Sequence, residues 1–174
     1  MKQPILSFIC ACLIYTYAQT ASAAEQGDHA PNCALTSIEA GEHFDLAKYH
    51  GKVLYLDFWA SWCSPCVKSF PLLNRFHEEF KNQGLQIVGV NLDESSDDAK
   101  EFLAKVPAQF MLVSDSDQKC ARDFNVKAMP SSYLIDRNGV IRGAYLGFHD
   151  DQIEKFRSLL RQLLAETAAG DTNQ

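Results

Sequence analysis

Cys63 and Cys66 are separated by Ser64 and Pro65 in the run Trp59-Ala60-Ser61-Trp62-Cys63-Ser64-Pro65-Cys66. Two thiols two residues apart meet when the chain between them makes one turn, so they can close and reopen a short-range disulfide. The run follows an apolar stretch, 53–58, that reads as a buried strand. It precedes an amphipathic stretch, 67–80, that reads as a helix. Cys63 then stands at the positive end of that helix, where a thiolate is stabilised, and thiols in such places titrate at roughly 3.5–7.5. The chemistry expected is exchange: the Cys63 thiolate attacks a disulfide and forms a mixed disulfide, and Cys66 then attacks Cys63 to release the captured thiol. The competing readings are a permanent disulfide, half of a zinc site, or a copper(I) site on two soft thiolates. Tetrahedral zinc needs four ligands, and the chain holds no second pair with matching spacing, so no metal is expected.

The neighbours of the pair have readable roles. Pro65 suits a first helical turn, where its missing N–H costs nothing. Asp57 falls inside the apolar strand, and burial would raise its carboxyl pKa. It is then either a proton acceptor for Cys66 or a structural polar residue. Trp59 reads as core beneath the helix. The five histidines, His29, His43, His50, His77 and His149, show no pairing pattern and read as surface or turn residues.

Residues 1–23 have the form of a secretory signal: Lys2, an apolar core over 5–14, then Ala21-Ser22-Ala23 with small residues at the positions a signal peptidase reads. The apolar part is short for a span of roughly 20 residues, so cleavage after Ala23 is expected, the alternative being a retained membrane anchor facing the periplasm. Cys10 and Cys12 leave with that segment. Of six cysteines, Cys33, Cys63, Cys66 and Cys120 remain, and export places them where disulfides persist. Cys33 and Cys120 either pair or stay as two buried thiols. A bridge closing so long a loop is worth roughly 4–5 kcal/mol in the chain-entropy model. Without Lys2 the chain has 15 basic residues against 22 acidic ones, a net charge of −7, which excludes nucleic acid as a main partner.

The supporting elements follow from pattern. Residues 24–33 are polar and read as a mobile lead-in to a single domain over 34–167, with a frayed tail at 168–174. A short strand is expected at 34–38, then a loop or one helical turn over 41–51. The strand 53–59 lacks polar alternation, as a strand covered on both faces should. Pro71 should interrupt and kink the helix 67–80. A second buried strand covers 85–92. Asp97 or Asp98 caps a helix ending near Lys105, and a short strand follows at 110–113, then a helical turn or two at 119–124. Asp136-Arg137-Asn138-Gly139 joins strands 131–135 and 140–146 as a hairpin. Asp150 or Asp151 caps a last helix to about Ala165. Alternating strands and helices give an α/β fold with helices on both faces, and the terminal hairpin makes the sheet mixed.

With those motifs in order, the chain resembles the thioredoxin-like proteins of the TlpA/ResA group, exported bacterial thiol–disulfide oxidoreductases. The likeness rests on Asp57 to Cys66, Ile87-Val88-Gly89-Val90-Asn91, Met129-Pro130 and Leu134-Ile135-Asp136-Arg137-Asn138-Gly139, and covers residues 35–164. It implies a thioredoxin-like fold and a protein-disulfide reductase with no cofactor beyond its own Cys63–Cys66 disulfide. It implies a cis Pro130 beside the pair, a substrate groove walled by Trp62 and Met129 where an extended peptide docks, and an inserted helix near 93–105. A ResA-like acidic residue after Val90-Asn91 would be Glu94, a second acid/base candidate. The implied partners are disulfide-bearing exported proteins, among them cytochrome c precursors and copper-site assembly proteins, and a membrane electron donor. Two departures stand out. Many members have Asn at the position of Asp57, and Ser-Pro replaces the Gly-Pro that thioredoxin carries between its cysteines. That dipeptide helps set redox poise, so a disulfide-donating oxidant of the same fold is the rival reading.

Overall fold

The structure, a computed structural model, describes residues 24–166. The expected signal segment and polar tail lie outside those residues. Seven strands form one mixed sheet: β1 (Ala34–Ser37), β2 (His43–Asp45), β3 (Val53–Trp59), β4 (Leu85–Asn91), β5 (Met111–Ser114), β6 (Ser131–Ile135) and β7 (Ile141–Leu146), in the spatial order β2-β1-β5-β4-β3-β6-β7. β3 is parallel to β4 and antiparallel to β6. Four α-helices accompany them: α1 (Cys66–Phe80), α2 (Ser96–Lys105), α3 (Lys119–Asp123) and α4 (Ile153–Ala165). This is the mixed α/β arrangement that the alternation of elements implied, and the thioredoxin-like fold that the TlpA/ResA resemblance implied.

All seven residues of β3 are buried, because layers cover both faces of the sheet. Alternate side chains point to opposite faces, and the core divides accordingly. Val53, Tyr55 and Trp59 join Phe70, Leu73 and Phe76 of α1, Phe102 of α2 and Phe156 and Leu160 of α4. Leu54, Leu56 and Phe58 join β1, Phe44 of β2, Cys120 and Ala121 of α3, and Phe124. Asp57 takes its parity from Tyr55 and Trp59, so its side chain lies on the α1 face. Gly89 of β4 allows close packing there: a Cβ on it would stand 2.9 Å from Leu112 Cδ2 and 3.2 Å from Trp59 Nε1.

Several local expectations need correction. The stretch read as a loop or one helical turn before β3 has that turn, a 3-10 turn over Leu46–Tyr49 started by Asp45, whose side chain accepts from Ala47 N–H, but it also contains strand β2, which was not expected. Strand β2 is three residues long, too short to show a period. α2 is capped by Ser95, whose hydroxyl accepts from Asp97 N–H, and Asp97 and Asp98 lie in its first turn, where their charge suits the helix dipole. α4 is entered through a 3-10 turn, Asp150–Gln152, with no side-chain cap. Pro71 does not interrupt α1, which runs through it. The lead-in is tied down: Gly27 N–H donates to Ile141 O, Ile141 N–H to Asp28 O and Ala30 N–H to Gly139 O. These bonds dock it along the β6–β7 hairpin, which no local pattern encodes. The hairpin turn itself follows its sequence, with Asp136 accepting from Asn138 N–H and Val140 N–H and Gly139 at φ +81°.

Candidate active site

β3 ends at Trp59, and the chain turns through Ala60 to Pro65 before α1 begins at Cys66. This turn is held by a carboxylate the sequence reading passed over. Asp93, only 5% exposed, accepts from Ser61 N–H at 2.9 Å, from the Ser61 hydroxyl at 3.0 Å and from Asn91 Nδ2 at 2.7 Å. Leu92 N–H donates to Trp59 O. The end of β4 therefore clamps the loop that carries the cysteines. Glu94, the second acid/base candidate, is exposed and makes no hydrogen bond or ion pair with the cysteine loop. The Asn91-x-Asp93 spacing after a central strand was the available signal, since Asx side chains bond backbone two residues on.

Cys63 and Cys66 are joined as a disulfide with Cα atoms 5.3 Å apart. The Cys66 N–H is shared between Cys63 O, 3.0 Å away, and Cys63 Sγ, 3.2 Å away. The first turn of a helix has N–H groups without helical acceptors, and here one of them faces the sulfur expected to carry charge. Cys66 is wholly buried and Cys63 keeps 3% of its surface. Access is therefore narrower than an open attacker implies, although the flanking Trp62 and Ser64 are exposed.

Trp62 is 70% exposed, whereas Trp59 is buried with its ring 5.0 Å from those of Phe70 and Phe102. A groove of about 470 Å³ runs between Trp62 and Met129 over Leu92, Ala121 and Val126. The Met129–Pro130 peptide is cis. Pro130 has no N–H, and its carbonyl accepts from Gly147 N–H at 2.7 Å, so Pro130 has no free backbone donor to offer a docked peptide. The Met129 backbone makes no hydrogen bond among the described residues.

Asp57 is fully buried, and burial pushes its carboxyl up to about 7, against a partial opposing pull from its bond with Ser132. The Ser132 hydroxyl donates to Asp57 Oδ1 at 2.6 Å, and the other carboxyl oxygen has no partner. A group titrating near neutrality with one vacant oxygen, on the sheet face that α1 covers, is suited to take up and return a proton.

Cys33 and Cys120 form a second disulfide across 87 residues, both cysteines being buried. It fastens the residue preceding β1 to α3, on the face of the sheet opposite the Cys63–Cys66 pair. No cluster of three or more His, Cys, Asp or Glu is placed to hold a metal among the described residues, and no described helix is long and apolar enough to cross a membrane.

The two sulfurs of the Cys63–Cys66 pair are unequal. One receives a helix N–H and borders solvent; the other is sealed in the core. Such an asymmetric pair exchanges its bond with disulfides of other molecules, and the enzymes that share this fold and device are thiol–disulfide oxidoreductases. This protein is one of them. The chain belongs to the Redoxin family, whose model matches residues 25–163. It is 31% identical over 151 residues to the thiol-disulfide oxidoreductase ResA of Geobacillus kaustophilus, covering 84% of this chain and 86% of that one. The ResA of Bacillus subtilis is also 31% identical, over 90% and 89% of the two chains. A crystal structure of a Chlorobium tepidum protein described as a thiol:disulfide interchange protein DsbE superposes with a TM-score of 0.77 at 41% identity, covering 82% of this chain and 99% of that one.

Proposed function

We propose that this protein is exported to the periplasm by a cleaved signal peptide and there reduces disulfides of other exported proteins. The Cys63 thiolate attacks one client sulfur, forming a Cys63–client disulfide and expelling the other client sulfur as a thiolate. Cys66 gives its proton to Asp57, and its sulfur attacks Cys63. The Cys63–client bond breaks, the client gains two electrons in all, and the Cys63–Cys66 disulfide forms. A membrane-bound electron donor then restores the dithiol, with no cofactor beyond the pair itself. Cytochrome c precursors and metal-site assembly proteins are the client classes that the TlpA/ResA likeness suggests.

The observation that carries this reading is the N–H of Cys66 aimed at Cys63 Sγ with Cys66 itself fully buried, which separates attacker from resolver. Asp57 serves the exchange in either direction, taking the Cys66 proton as the Cys63–Cys66 disulfide forms and returning it as that bond opens, so the reductive direction rests on the TlpA/ResA likeness. The test is trapping in cells. Cys66→Ala should accumulate mixed disulfides on Cys63, and their partners name the clients. Equal trapping by Cys63→Ala would refute the assignment of roles. A reduction potential near the thioredoxin end of the scale, about −270 mV, fits a reductant, and one near −120 mV fits the oxidant.

A further inference from the structure

Asp57 has no contact with solvent, yet an acceptor used in every turnover must discharge its proton. Two hydroxyls lead away from it. Ser132 donates to Asp57 Oδ1 at 2.6 Å, and Tyr55 donates its phenolic hydrogen to Ser132 Oγ at 3.1 Å. Residues 75 and 77 apart in sequence are thus brought into one line by the antiparallel pairing of β3 with β6, in which Asp57 stands opposite Ser132. Beyond them lies a cavity of about 40 Å³ between α1, α4 and the end of β7. Tyr55 and Ser132 line it, with Pro130, Tyr145 and exposed His149 also in its wall. A water needs roughly 10–15 Å³ and two or more polar partners, and this wall meets both needs. The cavity shares no lining residue with the groove between Trp62 and Met129.

We propose that Ser132 and Tyr55 form a proton wire connecting Asp57 to this cavity, so that Asp57 exchanges protons with solvent while a client covers the groove. This rests on Asp57 being the acceptor for Cys66. When Asp57 is protonated the two hydroxyls turn over, so that Asp57 donates to Ser132 Oγ, Ser132 to Tyr55 Oη and Tyr55 to water in the cavity. Each hydrogen then shifts one step outward, which leaves both hydroxyls donating toward Asp57 as the structure has them. One proton enters the wire and one leaves, and no group in it changes charge except Asp57. Tyr55 remains a neutral phenol throughout, because burial and then the charge of Asp57 hold its pKa well above 10. The other titratable groups around the wire are Tyr145 from β7 and His149 at the cavity wall, with Cys66 of α1 and Cys63 just before it in the same core cluster as Tyr55.

Tyr55→Phe removes the outer hydroxyl and leaves the Ser132–Asp57 bond and the ring packing on Phe156 in place. The measurement is multiple-turnover reduction of a saturating peptide disulfide, with dithiothreitol restoring the dithiol, from pH 5 to pH 9, under conditions where resolution by Cys66 is limiting and Asp57 must discharge its proton before each new cycle. The Asp57 pKa is followed in parallel by carboxyl NMR. Tyr55→Phe should leave the Asp57 pKa in place, slow resolution about ten-fold, the low end of a general acid–base contribution, and make the rate rise with buffer concentration at fixed pH. Ser132→Ala should slow it too, and also raise the Asp57 pKa, since the lost bond had been lowering it. A folded Tyr55→Phe protein that resolves at the wild-type rate overturns the wire. So does slowing without a buffer response, which would mark a packing effect. Asp57→Asn separates the two levels: if it resolves like wild type, Asp57 is not the acceptor. If it is slow while Tyr55→Phe is not, only the wire falls.

Discussion

Replacing Asp57 by Asn should stabilise the oxidised protein, and by an amount that depends on pH. In the unfolded chain an Asp ionises near 3.8, whereas in the fold burial holds this one near 7. Between those values the folded state keeps a proton that the unfolded state has lost. Stability therefore falls as pH rises from about 4 to 7 and levels off above 8. At about 1.4 kcal/mol per pH unit, the gap from 3.8 to about 7 is worth about 4 kcal/mol. Asparagine keeps an oxygen for Ser132 and leaves one polar atom without a partner, as the protonated acid also does. The two proteins should be nearly equal in stability at pH 4. Asp57→Asn should gain progressively to about 4 kcal/mol above pH 8, or roughly 10 °C in Tm at 2–4 °C per kcal/mol. Cys63 and Cys66 do not titrate as a disulfide, so they add nothing to the window. The assay is urea unfolding of both oxidised proteins at several pH values. Parallel stability curves with a constant offset would refute the reasoning, because they would mean that Asp57 ionises alike in folded and unfolded chains.

Three further outcomes follow from the packing and the groove. Cys33→Ser with Cys120→Ser opens an 87-residue loop and should cost about 4–5 kcal/mol of unfolding free energy while leaving turnover of small disulfides intact; a loss under about 1 kcal/mol would contradict the loop-entropy account. Trp62→Ala removes the exposed wall of the groove. It should raise KM for protein disulfides about ten-fold, equivalent to about 1.4 kcal/mol, with reduction potential unchanged. Gly89→Ala drives a Cβ to within 2.9 Å of Leu112 Cδ2 and 3.1 Å of Phe110 Cε2 and should destabilise by about 1–3 kcal/mol, as overpacked cores do, measured by thermal or urea unfolding.

The redox pair, its place at a strand-to-helix turn, the buried character of β3 and the β6–β7 turn were legible along the chain, because each depends on neighbours within a few residues. The Cys-x-x-Cys spacing is local chemistry, an uninterrupted apolar run signals coverage on both faces, and Asn138-Gly139 specifies its own turn. Strand β2, the Ser95 cap and the docked lead-in were not legible. A three-residue strand carries no period, the competing cap residues Asp97 and Asp98 are better placed in the first turn, and the lead-in is held by backbone bonds to Gly139 and Ile141 of the hairpin, far away in the chain.

Tertiary structure decided between Asp93 and Glu94, a choice at which the Asn91-x-Asp93 spacing only hinted. Asp93 and Glu94 lie side by side in the chain just after β4, and only folding turned Asp93 inward to hold Ser61 while leaving Glu94 in solvent. It likewise joined Cys33 to Cys120, since no spacing rule tells whether two cysteines 87 residues apart come within bonding distance. The line Tyr55–Ser132–Asp57 is of the same kind. Which residues carry the sulfur chemistry is written in their types and spacing, a short-range matter. How a sealed carboxyl is tuned and partnered depends on which strands pair and in what register, and that is decided when the whole sheet assembles.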